Sequence, residues 1–391
     1  MKRLLLPALL LTTLTACTAT PAGTLPAAAP TPTPASTPAP TAAPAPADAL
    51  TPEEKIGQLF IIRPDALDLT LPQETINDAK ADGVTMLTDA MRETLQAYPV
   101  GGICQFGKNI TDPEQLAQFN ADLQGASRTP LFIAVDEEGG AVARLANHPA
   151  FDLPQYESAA AVGASGDPAD ACTMGQTIGA YLKEYGFNMD FAPDADVNTN
   201  PDNPIIGTRA FSSDAATAAE MAAAAADGLR TSGILPTLKH FPGHGDTAED
   251  SHTALAVTYK TLDELQACEL LPFAADTGLH AVMVGHIAAP NVTGDGTPAT
   301  LSPQLVALIP DAENTLIVTD SLAMDAITTA YTPGEAAVQA LQAGCDVLLM
   351  PNSLPEAYAA VLEAVQNGTI SEERLDRSVN KILLYKQQFA S

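Results

Sequence analysis

Residues 235–252, LPTLKHFPGHGDTAEDSH, concentrate side chains that can transfer protons. An apolar run ends in Lys239 and His240, and the loop after it holds His244 and His252, so that three of the chain's six histidines lie in this stretch. Asp250 stands two residues before His252, where a carboxylate can orient an imidazole and stabilise its charged form. This spacing favours a general acid/base pair.

Three other interpretations of the same stretch are weaker. A solvated surface loop has no need of a Lys-His pair at the end of a strand. A metal site could draw on His240, His244, His252 and Asp246. Pro242 and Gly243, however, interrupt the helical spacing that makes a His-x3-His pair a good ligand set. A phosphate cradle is disfavoured because no Lys-Ser/Thr pair follows the glycines.

Charged residues also follow other apolar runs. Asp136, Glu137 and Glu138 come directly after one such run, so they are unlike a solvated charged face. Asp320 follows another, at a position that suits either a catalytic carboxylate or a helix N-cap. Arg209 lies in a loop punctuated by Gly and Pro, where it would suit either a surface salt bridge or a binding site.

Four motifs in order resemble the β-N-acetylhexosaminidases of glycoside hydrolase family 3. They are AVDEEGG at 134–140, NPIIGTRAF at 203–211, KHFPGHGDT followed by DSH at 239–252, and IVTDSLAM at 317–324. The resemblance covers roughly residues 51–391 and implies that family's barrel fold.

The resemblance also implies roles for single residues. Asp320 is the nucleophile that attacks the anomeric carbon, and His252, held by Asp250, is the acid/base. The residues implied to hold sugar hydroxyls are Asp136, Arg144, Arg209, Lys239 and His240. Neither metal nor organic cofactor is required. The chain departs from the family at Glu137 and Ala141, where Gln and Arg are usual, and we interpret both as supporting positions behind the sugar-binding residues.

Apolar runs alternate with helical segments, a pattern typical of a parallel sheet. The eight predicted strands are 56–62, 101–106, 131–136, 187–192, 235–240, 281–287, 316–320 and 346–351. Eight such units over residues 50–391 predict a single (β/α)8 TIM barrel, with an open doubly wound sheet as the alternative. The motifs then lie at the carboxyl ends of strands, the face that carries active sites in such barrels.

Helix starts are marked by capping residues between these strands. Thr51, Thr111 and Thr261 each precede a Glu by three residues, which predicts capping boxes. The last helix is predicted to open at Ser371 and to bury one apolar stripe.

The N-terminal 49 residues predict export rather than a folded domain. Residues 1–16 combine a basic start with a short apolar run, as in a signal peptide. Small residues before Cys17 resemble a bacterial lipoprotein signal, the alternative being an ordinary secretory signal. Residues 17–49 are almost wholly Ala, Pro and Thr, which predicts a disordered linker behind a lipidated Cys17. The expected location is extracytoplasmic, anchored to the cell membrane.

Composition restricts the partners. The chain has 18 Lys and Arg against 47 Asp and Glu, a formal net charge of −29. Such a surface repels nucleic acid and favours a neutral or cationic substrate. The four cysteines after Cys17 have no CxxC spacing, so we expect free buried thiols.

Together these features predict a retaining exo-β-N-acetylglucosaminidase, monomeric and acting on β-GlcNAc-terminated glycans or muropeptide fragments of peptidoglycan. The alternatives are a β-N-acetylglucosaminide phosphorylase, a β-glucosidase of the same family, and a non-catalytic glycan-binding lipoprotein. The Asp-x-His loop argues against the β-glucosidase, and the presence of both Asp320 and His252 argues against the non-catalytic binder.

Overall fold

Eight parallel strands form a barrel at the centre of the computed structural model, which describes residues 46–249 and 254–390. They are β1 (Phe60–Ile62), β2 (Gly102–Cys104), β3 (Phe132–Val135), β4 (Met189–Asp190), β5 (Leu235–Phe241), β6 (Ala281–Val284), β7 (Leu316–Thr319) and β8 (Leu348–Leu349). From β1 to β7, each strand pairs with the next along the chain. Phe60 of β1 pairs with Leu348 of β8, and a bridge from Val318 to Val347 joins β7 to the start of β8. The TIM barrel is therefore confirmed, since the alternative open sheet would leave two unpaired edges.

Helices cover the outside of the barrel. They are α1 (Pro52–Gln58), α2 (Gln73–Asn77), α3 (Asp89–Ala97), α4 (Pro113–Ala126), α5 (Ala159–Gly163), α6 (Pro168–Glu184), α7 (Ala215–Thr231), α8 (Leu262–Ala267), α9 (Leu271–Ala275), α10 (Pro290–Thr293), α11 (Pro303–Val306), α12 (Asp325–Thr328), α13 (Pro333–Ala343), α14 (Leu354–Gln366) and α15 (Glu372–Phe389). Short 3-10 segments span Pro46–Ala49, Pro64–Leu67, Gly107–Asn109, Gly207–Arg209 and Ala299–Leu301. Every residue of the eight strands is buried, as expected for a parallel sheet covered on both faces.

The caps of three helices confirm the sequence prediction, and the cap of one corrects it. Thr51 and Thr261 form capping boxes, and Ser371 caps α15. Helix α4, however, begins one residue later than expected. The carboxylate of Asp112 accepts the N–H of Gln115, whereas Thr111 bonds to the Gln115 side chain. A carboxylate one residue further on is an equally good cap, and it reaches the orphan N–H of the first turn.

The strands are mostly shorter than predicted, and two of the predicted ranges extend into other elements. Residues 56–58 belong to α1 and not to β1, because the helix that Thr51 caps continues to Gln58 and buries Ile56 on its inner face. The predicted strand 281–287 ends at Val284, and Ile287–Ala288 pairs instead with Ala256–Val257 in a separate two-stranded sheet. Apolar periodicity cannot separate a buried helix end from a buried strand.

The four cysteines of the described residues are free thiols, as predicted. Cys104 and Cys345 are buried, but Cys172 and Cys268 are only partly buried, which corrects the expectation for those two. Cys172 lies on helix α6 and Cys268 follows α8, outside the barrel.

The predicted signal peptide, Cys17 and most of the linker lie outside the described residues. Within residues 46–249 and 254–390, no helix combines the length and the apolar character needed to cross a bilayer.

Lys386 of α15 is a buried cation outside the active-site face. It is 2% exposed, its Nζ donates to Oε1 of Gln58 at 2.6 Å, and it lies 5.3 Å from the centre of the Phe132 ring. Burial lowers its pKa to about 7. Because an unfolded lysine has a pKa near 10.4, folding disfavours the charged form.

Replacing Lys386 with methionine should therefore stabilise the protein most at low pH. As the pH falls below about 10 the unfolded lysine gains a proton, while the folded one stays neutral until about pH 7. The destabilisation by Lys386 thus grows through this window and is complete below pH 7. Melting temperatures of both proteins at pH 6 and pH 9.5 test this, since the advantage of Lys386→Met should be larger at pH 6. An advantage that is independent of pH would contradict a lowered pKa.

Candidate active site

A cavity of about 520 Å³ opens at the carboxyl ends of the barrel strands. Six residues predicted from the sequence line it: Asp136, Arg144, Arg209, Lys239, His240 and Asp320. They come from the ends of β3, β5 and β7 and from the connections after β3 and β4. The barrel brings them together because the carboxyl ends of all its strands meet at one face. The size suits a small-molecule ligand.

Buried charges of both signs alternate on one wall of the cavity. The Nζ of Lys239 lies 2.8 Å from Asp136 and 2.6 Å from Glu138. Arg209 donates from Nε and from a terminal nitrogen to the two oxygens of Glu138, each at 2.8 Å. Arg144 lies 3.5 Å from the other oxygen of Asp136. Each cation is therefore held in place before any ligand binds.

These ion pairs keep the groups charged. Burial opposes the charge on Glu138, but Lys239 and Arg209 outweigh it and hold the pKa of Glu138 far below its usual range. Burial likewise opposes the charge on Lys239, and Asp136 and Glu138 nonetheless raise the pKa of that lysine. Ionised donors and acceptors make the strongest hydrogen bonds to hydroxyls, so this wall is suited to a polyhydroxylated ligand.

A second layer orients His240. Asp196 accepts from Nδ1 of His240 at 2.7 Å and from the backbone N–H of His244 at 2.5 Å. Burial works against the charged imidazole, yet Asp196 raises the pKa of His240. The other ring nitrogen of His240 lies 3.4 Å from Arg209, at the cavity wall. His240 is thus fixed in rotation and presents Nε2 to a ligand.

One set of donors in the described residues has the geometry of a metal site. Single atoms of Asp194, Asp196 and His240 lie within 4.8 Å of one another. Asp196 is already bonded to His240, and the Arg209 guanidinium lies 3.6 Å from Asp194, where its charge opposes a cation. Burial and the neighbouring Asp196 raise the pKa of Asp194 to about 7, which also weakens it as a ligand. These three side chains are therefore better suited to orienting His240 than to binding a metal ion.

The metal hypothesis from the sequence also named Asp246. Its carboxylate instead accepts from Thr258 at 3.2 Å and lies 3.4 Å from the Lys260 ammonium. It therefore belongs to a surface cluster and does not line the cavity.

Glu137 supports the loop that carries Arg144. Its buried carboxylate accepts the backbone N–H groups of Arg144, Leu145 and Ala146 at 2.5–2.9 Å and the Tyr181 hydroxyl at 2.9 Å. Burial raises the pKa of Glu137. Glu137 does not line the cavity, which agrees with the expectation that it supports the sugar-binding residues from behind.

Asp320 extends from the end of β7 into the cavity. Its N–H donates to the Val284 carbonyl at 2.9 Å, and its Oδ1 accepts the N–H of Ser321 at 2.7 Å. Helix α12 begins only at Asp325, after Met324. The alternative interpretation of Asp320 as a helix N-cap is therefore wrong. Its backbone is held by β6, and its carboxylate accepts a hydrogen bond from the backbone of the next residue.

Asp250 and His252 lie outside the described residues, so their roles stay predictions. The described part of their loop starts at the cavity, because His244 lines it. Burial and the adjacent His240 lower the pKa of His244, which keeps that imidazole neutral.

The sequence did not identify every residue of this cavity. Glu138 was noted only as one of three clustered acids, although it anchors both Lys239 and Arg209. Arg63, at the end of β1, and Phe106, after β2, also line the cavity and were not singled out. Their position at the carboxyl ends of two predicted strands, 56–62 and 101–106, was the one signal that could have identified them.

The chain is similar to one known family of proteins. Residues 51–384 match the family described as "Glycosyl hydrolase family 3 N terminal domain". The chain is 32% identical to "Beta-hexosaminidase A" of Pseudoalteromonas piscicida over 335 residues, which are 78% of this chain and 56% of that protein. It is also 32% identical to "Beta-hexosaminidase LpqI" of Mycobacterium tuberculosis, over 86% of this chain and 83% of that protein.

Solved structures show the same similarity. A family 3 β-N-acetylglucosaminidase from Paenibacillus sp. str. FPU-7 superposes with a TM-score of 0.76 at 38% identity, over 87% of this chain and 63% of that one. The M. tuberculosis LpqI structure gives 0.73 at 31% identity, over 88% and 96%. The chain thus spans less than two thirds of the Pseudoalteromonas and Paenibacillus proteins and most of LpqI.

Proposed function

The chain belongs to glycosyl hydrolase family 3, and on this premise we propose that it is a retaining exo-β-N-acetylglucosaminidase that removes terminal β-GlcNAc. The observation that carries the proposal is the Asp320 carboxylate facing a cavity whose wall holds buried, paired charges. Such a wall suits sugar hydroxyls, and the hexosaminidase relatives support GlcNAc as the sugar.

The mechanism uses Asp320 as the nucleophile. One of its carboxylate oxygens attacks the anomeric carbon and displaces the leaving oxygen, which takes a proton from His252. The resulting glycosyl ester is then attacked by water, which gives its proton back to His252 and releases the Asp320 carboxylate. Two inversions retain the β-configuration. Asp250 stabilises the imidazolium form of His252, which is present before the first step and forms again in the second.

The other carboxylates of the cavity wall suit binding better than attack. Asp136 is held between Lys239 and Arg144, and Glu138 between Lys239 and Arg209. Two adjacent cations lower the nucleophilicity of each carboxylate and occupy its lone pairs. Asp320 lines the same cavity from the end of β7, and its Oδ1 accepts the backbone N–H of Ser321 at 2.7 Å.

Assays on aryl β-GlcNAc and aryl β-glucoside, each with and without inorganic phosphate, test the proposal. We expect free GlcNAc from the first substrate, independent of phosphate. Sugar 1-phosphate formed only with phosphate would identify a phosphorylase instead. Faster cleavage of the glucoside would identify a β-glucosidase, and cleavage of neither substrate would favour a glycan-binding protein.

We also propose that the enzyme is anchored outside the cytoplasmic membrane and acts on GlcNAc-MurNAc fragments of peptidoglycan. The support is the sequence: a basic start, a short apolar run and small residues before Cys17, followed by the Ala/Pro/Thr linker. An acylated Cys17 with more than one chain would hold the protein stably at a bilayer.

Replacing Cys17 with serine should abolish lipid attachment, because serine lacks the thiol that is acylated. Metabolic labelling with a clickable fatty acid, followed by fractionation of cells, measures this. The variant should carry no label and accumulate as an uncleaved precursor. Labelling that persists in Cys17→Ser would refute the lipoprotein assignment.

A further inference from the structure

Arg63 is a cation on the cavity wall with no ionic partner among the described residues. Its terminal nitrogen donates to Oδ1 of Asn77 at 2.8 Å, and this is the one hydrogen bond that its side chain makes within that part of the chain. Burial lowers the pKa of Arg63, despite the more distant charges of Asp65 and Asp136. A guanidinium has five N–H donors, so most of those of Arg63 are available to a ligand.

Arg144 has spare capacity at the same place. The guanidinium carbons of Arg63 and Arg144 lie 4.8 Å and 5.9 Å from the centre of the Phe106 ring. The Nε of Arg144 is buried and has no hydrogen-bond partner within the described residues. Two guanidiniums thus share one aromatic ring, and both have unused donors.

The charge of the cavity differs in sign from that of the protein. Its described lining holds five Lys and Arg residues, namely Arg63, Lys108, Arg144, Arg209 and Lys239, against three carboxylates, Asp136, Glu138 and Asp320. The difference, 5 − 3 = +2, occurs in a chain whose formal net charge is −29. A concave site with an excess of one sign concentrates ligands of the opposite sign.

These cations do not all contribute to that excess. Lys239, Arg209 and Arg144 neutralise Asp136 and Glu138, and Lys108 donates to backbone carbonyls and lies 3.5 Å from Asp65. Arg63 is the uncompensated cation of the described lining.

We propose that Arg63, together with Arg144, binds an anionic substituent on the terminal sugar: a sulfate, phosphate or carboxylate. This inference rests on the proposed function. The terminal sugar is the relevant part of the substrate because Arg144 also contacts Asp136, one of the residues assigned to sugar hydroxyls. The planar guanidinium of Arg63 suits a two-point contact with such an oxyanion.

A purely structural role for Arg63 is the competing explanation. Asn77 accepts from Arg63 and donates to Asn352 at 2.6 Å, so this chain of bonds also holds the connection after β1. A tether of this kind would affect all substrates alike. Only anion recognition would change the preference between a charged substrate and its neutral counterpart.

The test compares kcat/KM for an aryl β-GlcNAc with that for the same compound sulfated at C3, C4 or C6. The wild-type protein should prefer at least one sulfated compound, and Arg63→Met should reduce that preference about 10- to 100-fold, as expected for a lost hydrogen bond to a charged group. Arg63→Lys keeps the charge but not the planar fork and should retain part of the preference. Arg128→Met, which removes a cation from an exposed side chain, is the matched control and should leave the preference unchanged.

Equal losses on charged and neutral compounds, or no preference in the wild type, would overturn the inference. A parallel comparison of kcat/KM for GlcNAc-MurNAc and for chitobiose tests an anion on the leaving sugar, because MurNAc carries a carboxylate and chitobiose is neutral. If Arg63→Met changed the preference only between these two disaccharides, and not between the sulfated and neutral aryl compounds, the placement of the anion on the terminal sugar would be refuted. Failure of the wild type to cleave the neutral aryl β-GlcNAc would instead refute the proposed function.

Discussion

Asp320→Ala should lower kcat on aryl β-GlcNAc by at least about 10³-fold, because the covalent step loses its nucleophile. The fold should remain intact, since the backbone N–H of residue 320 still bonds to Val284 and the side chain is only partly buried. Added azide can then attack the anomeric carbon directly in the vacated space. One inversion gives an α-glycosyl azide, which NMR distinguishes from the β-anomer.

A matched control is available five residues further on. Asp325 is an exposed carboxylate in the first turn of α12, and Asp325→Ala should leave kcat within about twofold, as is usual for a surface substitution. A 5-fluoro glycosyl fluoride should label the wild-type peptide that contains Asp320. A label on Asp136 or Glu138, or full activity in Asp320→Ala, would assign the nucleophile elsewhere.

His252→Ala should slow the natural disaccharide far more than an activated aryl glycoside. General acid catalysis typically contributes about 10²–10⁴-fold, and a sugar alkoxide needs that proton whereas a dinitrophenolate leaves without it. With the aryl substrate, hydrolysis of the glycosyl-Asp320 ester then limits turnover, because water has lost its base. Azide needs no deprotonation, so it should restore turnover and yield a β-glycosyl azide after two inversions.

The two variants are therefore told apart by the configuration of the azide product: α for Asp320→Ala and β for His252→Ala. Asp250→Asn should show a milder form of the His252 defect, since the imidazole remains but loses its orienting charge. His148→Ala removes a histidine that does not line the cavity and is the control. Equal losses on both substrates in His252→Ala, with no azide effect, would mean that His252 shapes the loop and is not the acid/base.

Much of the fold was determined locally and could be read from the sequence. Eight apolar runs followed by polar residues predicted eight barrel strands, because a strand buried on both faces must be apolar along its whole length. Thr51 and Thr261 predicted their helix starts because a cap needs only residues within one turn. The errors at residues 56–58 and at Thr111 have the same origin. At both places the local sequence is compatible with two positions of the element boundary, and only the folded structure selects one of them.

The pairing of charges was decided only by the tertiary structure. Asp136, Glu138, Arg209 and Lys239 are far apart in the chain, and no local rule states that Glu138 holds both cations while Glu137, one position earlier, faces away from the cavity. Successive residues of an extended strand point to opposite sides, so the choice depends on where each strand lies in the barrel.

The sequence by itself determined which residue types stand at the strand ends, and hence the family and the candidate nucleophile. The sequence did not determine which of these charged side chains is paired with an opposite charge. Arg63 shows the difference: in the sequence it is one cation among 18, but in the barrel it lies on the cavity wall without a carboxylate partner in the described residues. Whether a charge is compensated depends on distances between strands that meet only after folding, and those distances decide which side chains remain to bind a ligand.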